Sequence, residues 1–330
     1  MKLQTNILLV FLAIAMVKGQ FPTELASNQS TDPFYFTVDQ NTEYLLTLTA
    51  SANTNWAEAG AESATLTVAI DDDWVNYNQD IVLYAGEELH IYYTSLGPIS
   101  AGEHGVQFLF DYEKSSTGAN LIEIENIDLI DIATIDVDAD ALKHSPILYG
   151  RDLLSWNEST HTDIPLIMWH DLNMEGSNKR ITYSLILSNE DSRVGVGLAD
   201  LMYSYGRTTD IEWMYEVLLS PSGDILNEIF QGASHVTTNF EGNKIGLHPI
   251  LKNATLNCNF TDVGISDYKF FLSPVFTANN DYTRQILMDE NPWTYRIMAE
   301  ELINEDRYEE PADPQSVIIS DVRNYIYIEY

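Results

Sequence analysis

Between Phe34 and Ile135 the chain alternates apolar and polar residues with a period of two, and no other feature of its 330 residues restricts the fold as much. Successive side chains of a strand point to opposite faces, so this alternation marks half-buried strands. In Ala64–Ile70, Leu66, Val68 and Ile70 share one face and Thr65 and Thr67 the other. Leu89, Ile91 and Tyr93 repeat the pattern, as do Val106, Phe108 and Phe110, each set expected to point inward. Strands are expected near 34–38, 43–50, 64–70, 79–84, 88–95, 105–112 and 121–132. Turns are expected at Ala85-Gly86-Glu87, Gly97-Pro98, Ala101-Gly102-Glu103 and Ser115–Gly118. Seven or eight short strands so spaced predict an antiparallel β-sandwich of jelly-roll or immunoglobulin-like type.

The remainder is also strand-rich, with candidates at 164–169, 181–187, 211–219 and 268–276, and a closing strand in the tail Ser316–Tyr330. One helix is expected near 292–305, with Asn291 as cap, Pro292 at the first helical position and Trp293, Ile297 and Leu302 as its apolar stripe. The fold class is therefore mostly β: a sandwich domain over 20–140, then a β-rich domain over 141–330 with one clear late helix. The boundary rests on charge. From Gln20 to Lys143 there are 22 acids against only Lys114 and Lys143, whereas every arginine lies beyond residue 143.

The first 19 residues read as a secretory signal. Lys2 precedes the apolar run Ile7–Val17, and Val17 and Gly19 are small enough for a cleavage site before Gln20. The run is too short for a comfortable membrane span. Its removal takes Lys2 and Lys18 and no acid, leaving 14 bases against 50 acids. A field of that sign repels nucleic acid and anionic membranes and attracts calcium or basic partners. The single cysteine, Cys258, allows no intramolecular disulfide and reads as a buried thiol. Sequons at Asn28, Asn157, Asn253 and Asn259 would mark exposed, glycosylated loops in a eukaryotic host.

The densest polar constellation is Gly206–Trp213. On a strand from Asp210 to Val217, Ile211, Trp213, Tyr215 and Val217 would face the core and Asp210, Glu212 and Glu216 the other side. Neighbouring same-face carboxylates, about 6.5–7 Å apart, could hold a metal or act as an acid/base pair on a glycosidic bond. Arg207 could lower the pKa of one of them, and His170 is the histidine candidate beside them. Asn189, Glu190 and Asp191 offer oxygen ligands at a strand end. Asp71, Asp72 and Asp73 are the best oxygen cluster for calcium, although three consecutive aspartates also make a turn. Trp56, Trp74, Tyr77 and Tyr92 are candidate stacking faces for a sugar. No Gly-x-Ser-x-Gly elbow, P-loop, dinucleotide fingerprint or HExxH motif is present.

The stretch Leu96–Phe108, a glycine turn followed by His104, Val106 and Phe108, resembles the late hairpin of secreted carbohydrate-binding sandwich modules. The Ser188-Asn-Glu-Asp191 and Gly206-Arg-Thr-Thr-Asp-Ile-Glu-Trp213 motifs are similar to those of a group of predicted secreted, mainly bacterial proteins. That second resemblance implies secretion and a two-part architecture, and no catalytic residue. Three readings stay open: an extracellular carbohydrate-binding protein, a carboxylate-dependent glycan hydrolase centred on 207–212, and a structural surface or matrix protein.

Overall fold

A computed structural model of the chain describes residues 14–15, 21–76, 78–152, 164–189, 198–255, 258–278, 284–304 and 306. In chain order its first half contains β1 (Ile14–Ala15), β2 (Thr23–Ala26), β3 (Phe34–Val38), β4 (Thr42–Ala52), β5 (Ala64–Ile70), β6 (Gln79–Leu83), β7 (His90–Ile99), β8 (Gly102–Phe110) and β9 (Leu121–Asp131). One sheet runs β9–β4–β7, with β1 and β2 both on the outer edge of β9, and the other runs β3–β8–β5–β6. All pairings are antiparallel. Leu46, Leu48, Leu66, Phe108 and Phe110 are fully buried between the two sheets, as alternation predicts.

Three expectations change once the layers assemble. Gly97 and Pro98 are not a turn: β7 continues through them to Ile99, and the chain reverses at Ser100–Ala101. Gly97 takes φ 72° at a bulge opposite Tyr44 and Leu45, which is what a glycine inside a strand commonly marks. Leu89 and Ile91 point outward, 54% and 47% exposed, while Tyr92 and Leu96 face the core. Both faces of this strand are apolar, so alternation cannot say which is inward. Thr65 and Thr67 are buried rather than solvated, because β5 is covered on its second face: Thr67 Oγ1 donates to Asp80 Oδ1 at 2.8 Å and Thr65 Oγ1 to the Lys114 carbonyl at 2.6 Å.

The second half begins with α1 (Ala139–Lys143), whose N-terminus is capped by Asp138 Oδ1. Asp138 and Asp140 both pair with Lys179, so these linker acids serve as caps and ion pairs. Then follow β10 (Ile147–Tyr149), β11 (Pro165–Glu175), β12 (Asn178–Leu187), α2 (Leu198–Tyr205), β13 (Ile211–Leu219), β14 (Ile225–Gly232), β15 (Val236–Asn239), β16 (Lys244–Ile245), β17 (His248–Asn253), β18 (Phe260–Thr261), β19 (Lys269–Phe270), β20 (Phe276–Ala278), α3 (Arg284–Glu290) and α4 (Trp293–Asn304). They form a sheet β15–β14–β13–β12–β11–β20 and a smaller one, β16–β17–β10–β19, with β18 on β17. The late helix is where the sequence places it, but α3 precedes it. Asn291 turns its side chain back to the Leu287 carbonyl, at 2.9 Å, closing α3. The tail strand expected at 316–330 lies outside the described residues.

One cluster of buried apolar side chains runs through both halves. Polar contacts stitch them: Ser95 N–H donates to the Phe271 carbonyl at 2.8 Å, Lys269 N–H to Asp80 Oδ2 at 3.0 Å, and Tyr268 OH to the Lys114 carbonyl at 3.2 Å. Among the described residues no helix is long and apolar enough to cross a membrane.

At the turn after β6, Gly86 has φ +71°, and a Cβ there would lie 2.8 Å from the Thr54 carbonyl oxygen. Gly86→Ala is expected to destabilise the chain by about 1–3 kcal/mol, through left-handed strain and a backbone clash. A thermal or urea midpoint equal to that of the parent chain would count against this geometry.

Candidate binding cleft between the two halves

The outward face of β7 does not meet open solvent alone. Together with Tyr84 it forms one wall of a cleft of about 350 Å³; the start of β11, residues 270–273, Phe276 and Trp293 form the other. That volume lies at the lower end of small-molecule sites. Trp293, at the first turn of α4, stacks on Tyr84 with centroids 5.4 Å apart and planes 10° from parallel. His90 meets the same indole edge-on at 4.8 Å and Tyr92 at 4.8 Å. The cleft wall is therefore a packed aromatic cluster.

The floor is rigid for a backbone reason. Thr94 forms a β-bridge to Leu272, its Oγ1 donates to the Phe271 carbonyl at 2.8 Å, and it accepts from Gln79 Nε2 at 3.0 Å. This fixes Ser273, which is 4% exposed and whose hydroxyl has no hydrogen-bond partner among the described residues. A buried hydroxyl without a partner costs free energy unless something else meets it. Burial, followed by the nearby Arg296 charge, lowers the pKa of His90 to about 4, so the ring is neutral at physiological pH. Burial also pushes the Tyr84 and Tyr92 hydroxyls up, keeping them protonated.

Of the aromatics singled out from sequence, Tyr92 reaches this cleft, with its face packed inward and its OH accepting from Ala85 N–H at 3.2 Å. Trp56 is 1% exposed and belongs to the core. Trp74 is half-buried and donates to Asp72 Oδ1 at 2.6 Å, and Tyr77 lies outside the described residues. Asp71, Asp72 and Asp73 do not converge. Asp71 accepts from Gly105 N–H at 2.9 Å and sits 2.6 Å from His104 Nδ1; Asp73 caps Val75 and Asn76. The run is a turn after β5 that Asp71 ties to the start of β8. Among the described residues no three His, Cys, Asp or Glu side chains group as a metal site.

The acid constellation is also rearranged. A bulge in β13 leaves Met214 opposite no residue, with Trp213 paired to Ser184 and Tyr215 to Tyr183. Met214 is then buried and Trp213 only half-buried, and the expected common face of the acids is broken. Asp210 and Glu212 are buried, whereas Glu216 binds Arg180 and Thr182. Glu212 accepts from Gln231 and has His235 Nδ1 3.6 Å from its other oxygen. Arg207 is buried over the Tyr205 ring and donates to the Thr209 carbonyl. His170 lies on β11, with β12 between it and the acids; its Nδ1 is 2.9 Å from the Pro274 carbonyl and its Nε2 3.3 Å from Thr277 Oγ1. Burial lowers its pKa, as expected of a structural histidine. Asn189 is buried and donates to the Met298 carbonyl at 3.0 Å; Glu190 and Asp191 lie outside the described residues.

His235 was invisible as a partner of Glu212 in the sequence, because a turn with Ser234 and His235 at φ 59° and 58° brings it there. Ser273 carries no motif at all. Of the sequons, Asn28 is exposed and Asn157 lies outside the described residues. Asn253 and Asn259 are only 1% and 2% exposed, which leaves no room for a glycan in this fold. Cys258 is a buried thiol outside any disulfide, as expected.

No family model matches the chain, and no curated protein matches it. Among solved structures it is similar in part to a carbohydrate-binding module from the Cellvibrio mixtus lichenase 5A in complex with cellotriose, at 10% identity over 37% of this chain and 98% of that one, with a TM-score of 0.26. It is similar to NLPPya in complex with mannosamine at 10% identity over 50% and 77%, with a TM-score of 0.29. The insecticidal delta-endotoxin Cry8Ea1 of Bacillus thuringiensis matches at 16% identity over 33% of this chain and 19% of its own length, with a TM-score of 0.26.

Proposed function

We propose that the chain is an extracellular binding protein that takes a compact carbohydrate in the cleft between its two halves. The observation that carries this reading is a cleft whose lining includes both the buried Ser273 hydroxyl, unpartnered among the described residues, and the stacked Tyr84–Trp293 pair. A sugar ring presents an apolar face for stacking and hydroxyls for hydrogen bonding, and the cleft supplies both counterparts.

The test is binding of a mono- and oligosaccharide panel, with and without calcium, to the parent chain and two variants. Ser273→Ala should weaken the best ligand by about two- to tenfold, the range of one lost hydrogen bond of about 0.5–1.5 kcal/mol. The same change should leave the unliganded chain as stable or slightly more stable, since it removes an unsatisfied buried hydroxyl. Trp293→Ala should abolish measurable binding. Parent-like affinity in both variants places the sugar elsewhere or nowhere.

The contact between Glu212 and His235 favours a second reading, glycan hydrolysis with Glu212 as the acid/base group. The same panel tests it: new reducing ends that vanish in Glu212→Gln would move the function from binding to cleavage.

A further inference from the structure

A second cavity, of about 370 Å³, opens between β5–β6 of the sandwich and β10 and β19 of the second half, sharing Phe271 with the cleft. Two of its wall residues, Tyr149 and Lys269, are direct partners across the antiparallel β10/β19 ladder. Such partners stand on the same face with Cβ atoms about 4.5–5.5 Å apart. Val68, Ile147 and Phe271 make the rest of the wall largely apolar, and Val75, 81% exposed, stands at its mouth.

Lys269 is 8% exposed. Among the described residues its Nζ reaches one acceptor, the Asn76 carbonyl oxygen at 3.5 Å, and no carboxylate lies within ion-pair distance of it. Asp80, the acid whose field reaches it, is already held by Lys114 at 2.9 Å, and only the Lys269 backbone N–H bonds to it. In a chain with 50 acids and 16 bases, a buried lysine with no ion pair among the described residues is unexpected. A buried ammonium without a counter-ion is costly, whereas a neutral amine is not. Burial lowers the Lys269 pKa, with Asp80 opposing it only in part. Burial, and then the Asp80 charge, raise that of Tyr149, which keeps its proton. Desolvated lysines in apolar pockets are nucleophiles of this kind.

We propose that Lys269 is a reactive amine which, with Tyr149 as proton donor, condenses with a small aldehyde held in this second cavity. The Nζ lone pair forms the C–N bond while the carbonyl π pair moves to oxygen, which takes the Tyr149 proton. The phenolate recovers a proton from nitrogen, giving the carbinolamine. The hydroxyl then leaves as water with the Tyr149 proton, the C=N bond forms, and loss of the nitrogen proton restores the phenol. Amine plus aldehyde yields imine plus water.

The experiment treats the parent full-length chain with propanal and cyanoborohydride near neutral pH, so that hydride traps the iminium as a secondary amine, and maps the sites by peptide mass. Trapping at Lys269 is expected to be about tenfold or more faster than at the exposed Lys143. A rate at Lys269 equal to or below that of Lys143 overturns the proposal. In Tyr149→Phe, propanal trapping at Lys269 should fall about tenfold or more. Acetylation of the same amine by acetic anhydride should keep its rate. An equal loss in both reactions means disturbed packing and removes Tyr149 from the mechanism.

Discussion

Lys114→Met is expected to cost about 3–5 kcal/mol of stability, because it strands a buried carboxylate. The Asp80 side chain is 1% exposed, and Lys114 Nζ lies 2.9 Å from each of its oxygens. Thr67 Oγ1 and the Lys269 N–H complete its shell at 2.8 and 3.0 Å, so the pair also joins the sandwich to the second half. Burial raises the Asp80 pKa, and the Lys114 charge holds it back. Without that charge the carboxyl rises further. A group whose folded pKa lies above its unfolded value binds more protons when folded, so the variant should regain stability as pH falls. Adding Asp80→Asn should recover much of the loss, since it removes the charge while the amide oxygen can still accept from Lys269 N–H and the amide NH2 can donate to Thr67 Oγ1. Urea unfolding of the parent, both single variants and the double variant measures this. A single-variant loss below about 1 kcal/mol would show that water reaches Asp80 and that the pair is a surface one.

The second large effect is acid destabilisation through histidines kept neutral. His90 is held at about 4 by burial and Arg296, against 6.5 for a free imidazole. Burial is also the main cause that lowers His144 and His170. Each folded pKa lies below its unfolded one, so between these values the unfolded chain binds more protons. The stability is whole above about pH 6.5 and is lost as pH falls towards about 4. For His90 the loss is on the order of 2–3 kcal/mol after allowance for its partial solvent contact. His104 works in the opposite sense. Burial opposes its charged form, but the hydrogen bonds to Asp71 and the Ser100 carbonyl outweigh that and raise it. Its contribution is therefore present at low pH and lost as pH rises, and it is smaller because the Asp71 carboxylate faces solvent. Urea midpoints from about pH 7 to about pH 4.5 should fall steeply for the parent and less steeply for His90→Phe. Parallel curves would mean that His90 is already protonated in the aromatic cluster.

The two large effects share a cause that bears on what can be read from a sequence. Lys114 is one of two lysines between Gln20 and Lys143, facing 22 acids, and nothing local says which acid it serves. Asp80 and Lys114 meet because β5 and β6 pair and the turn after β8 returns beside them. The same holds for the sites. Tyr149 and Lys269 become neighbours through a strand register, and Ser273 becomes a cleft residue through a β-bridge from Leu272 to Thr94. His235 reaches Glu212 through two left-handed residues in a turn.

The sequence alone determined the mostly β architecture, the sandwich strands and the late helix. Those follow from period-two and helical hydrophobic patterns, which local steric and solvation physics enforce. The buried state of Cys258 was legible for a similar reason, as a thiol is a small apolar group. Only the tertiary structure decided which face of β7 is core, since a strand with apolar residues on both faces takes whichever partner the second half leaves it. It also decided that Trp56 and Asn189 are buried, that the acids of β13 are divided by a bulge, and that two sequon asparagines are buried. Burial of polar side chains depends on contacts between strands far apart in the chain, and no window of neighbouring residues contains them.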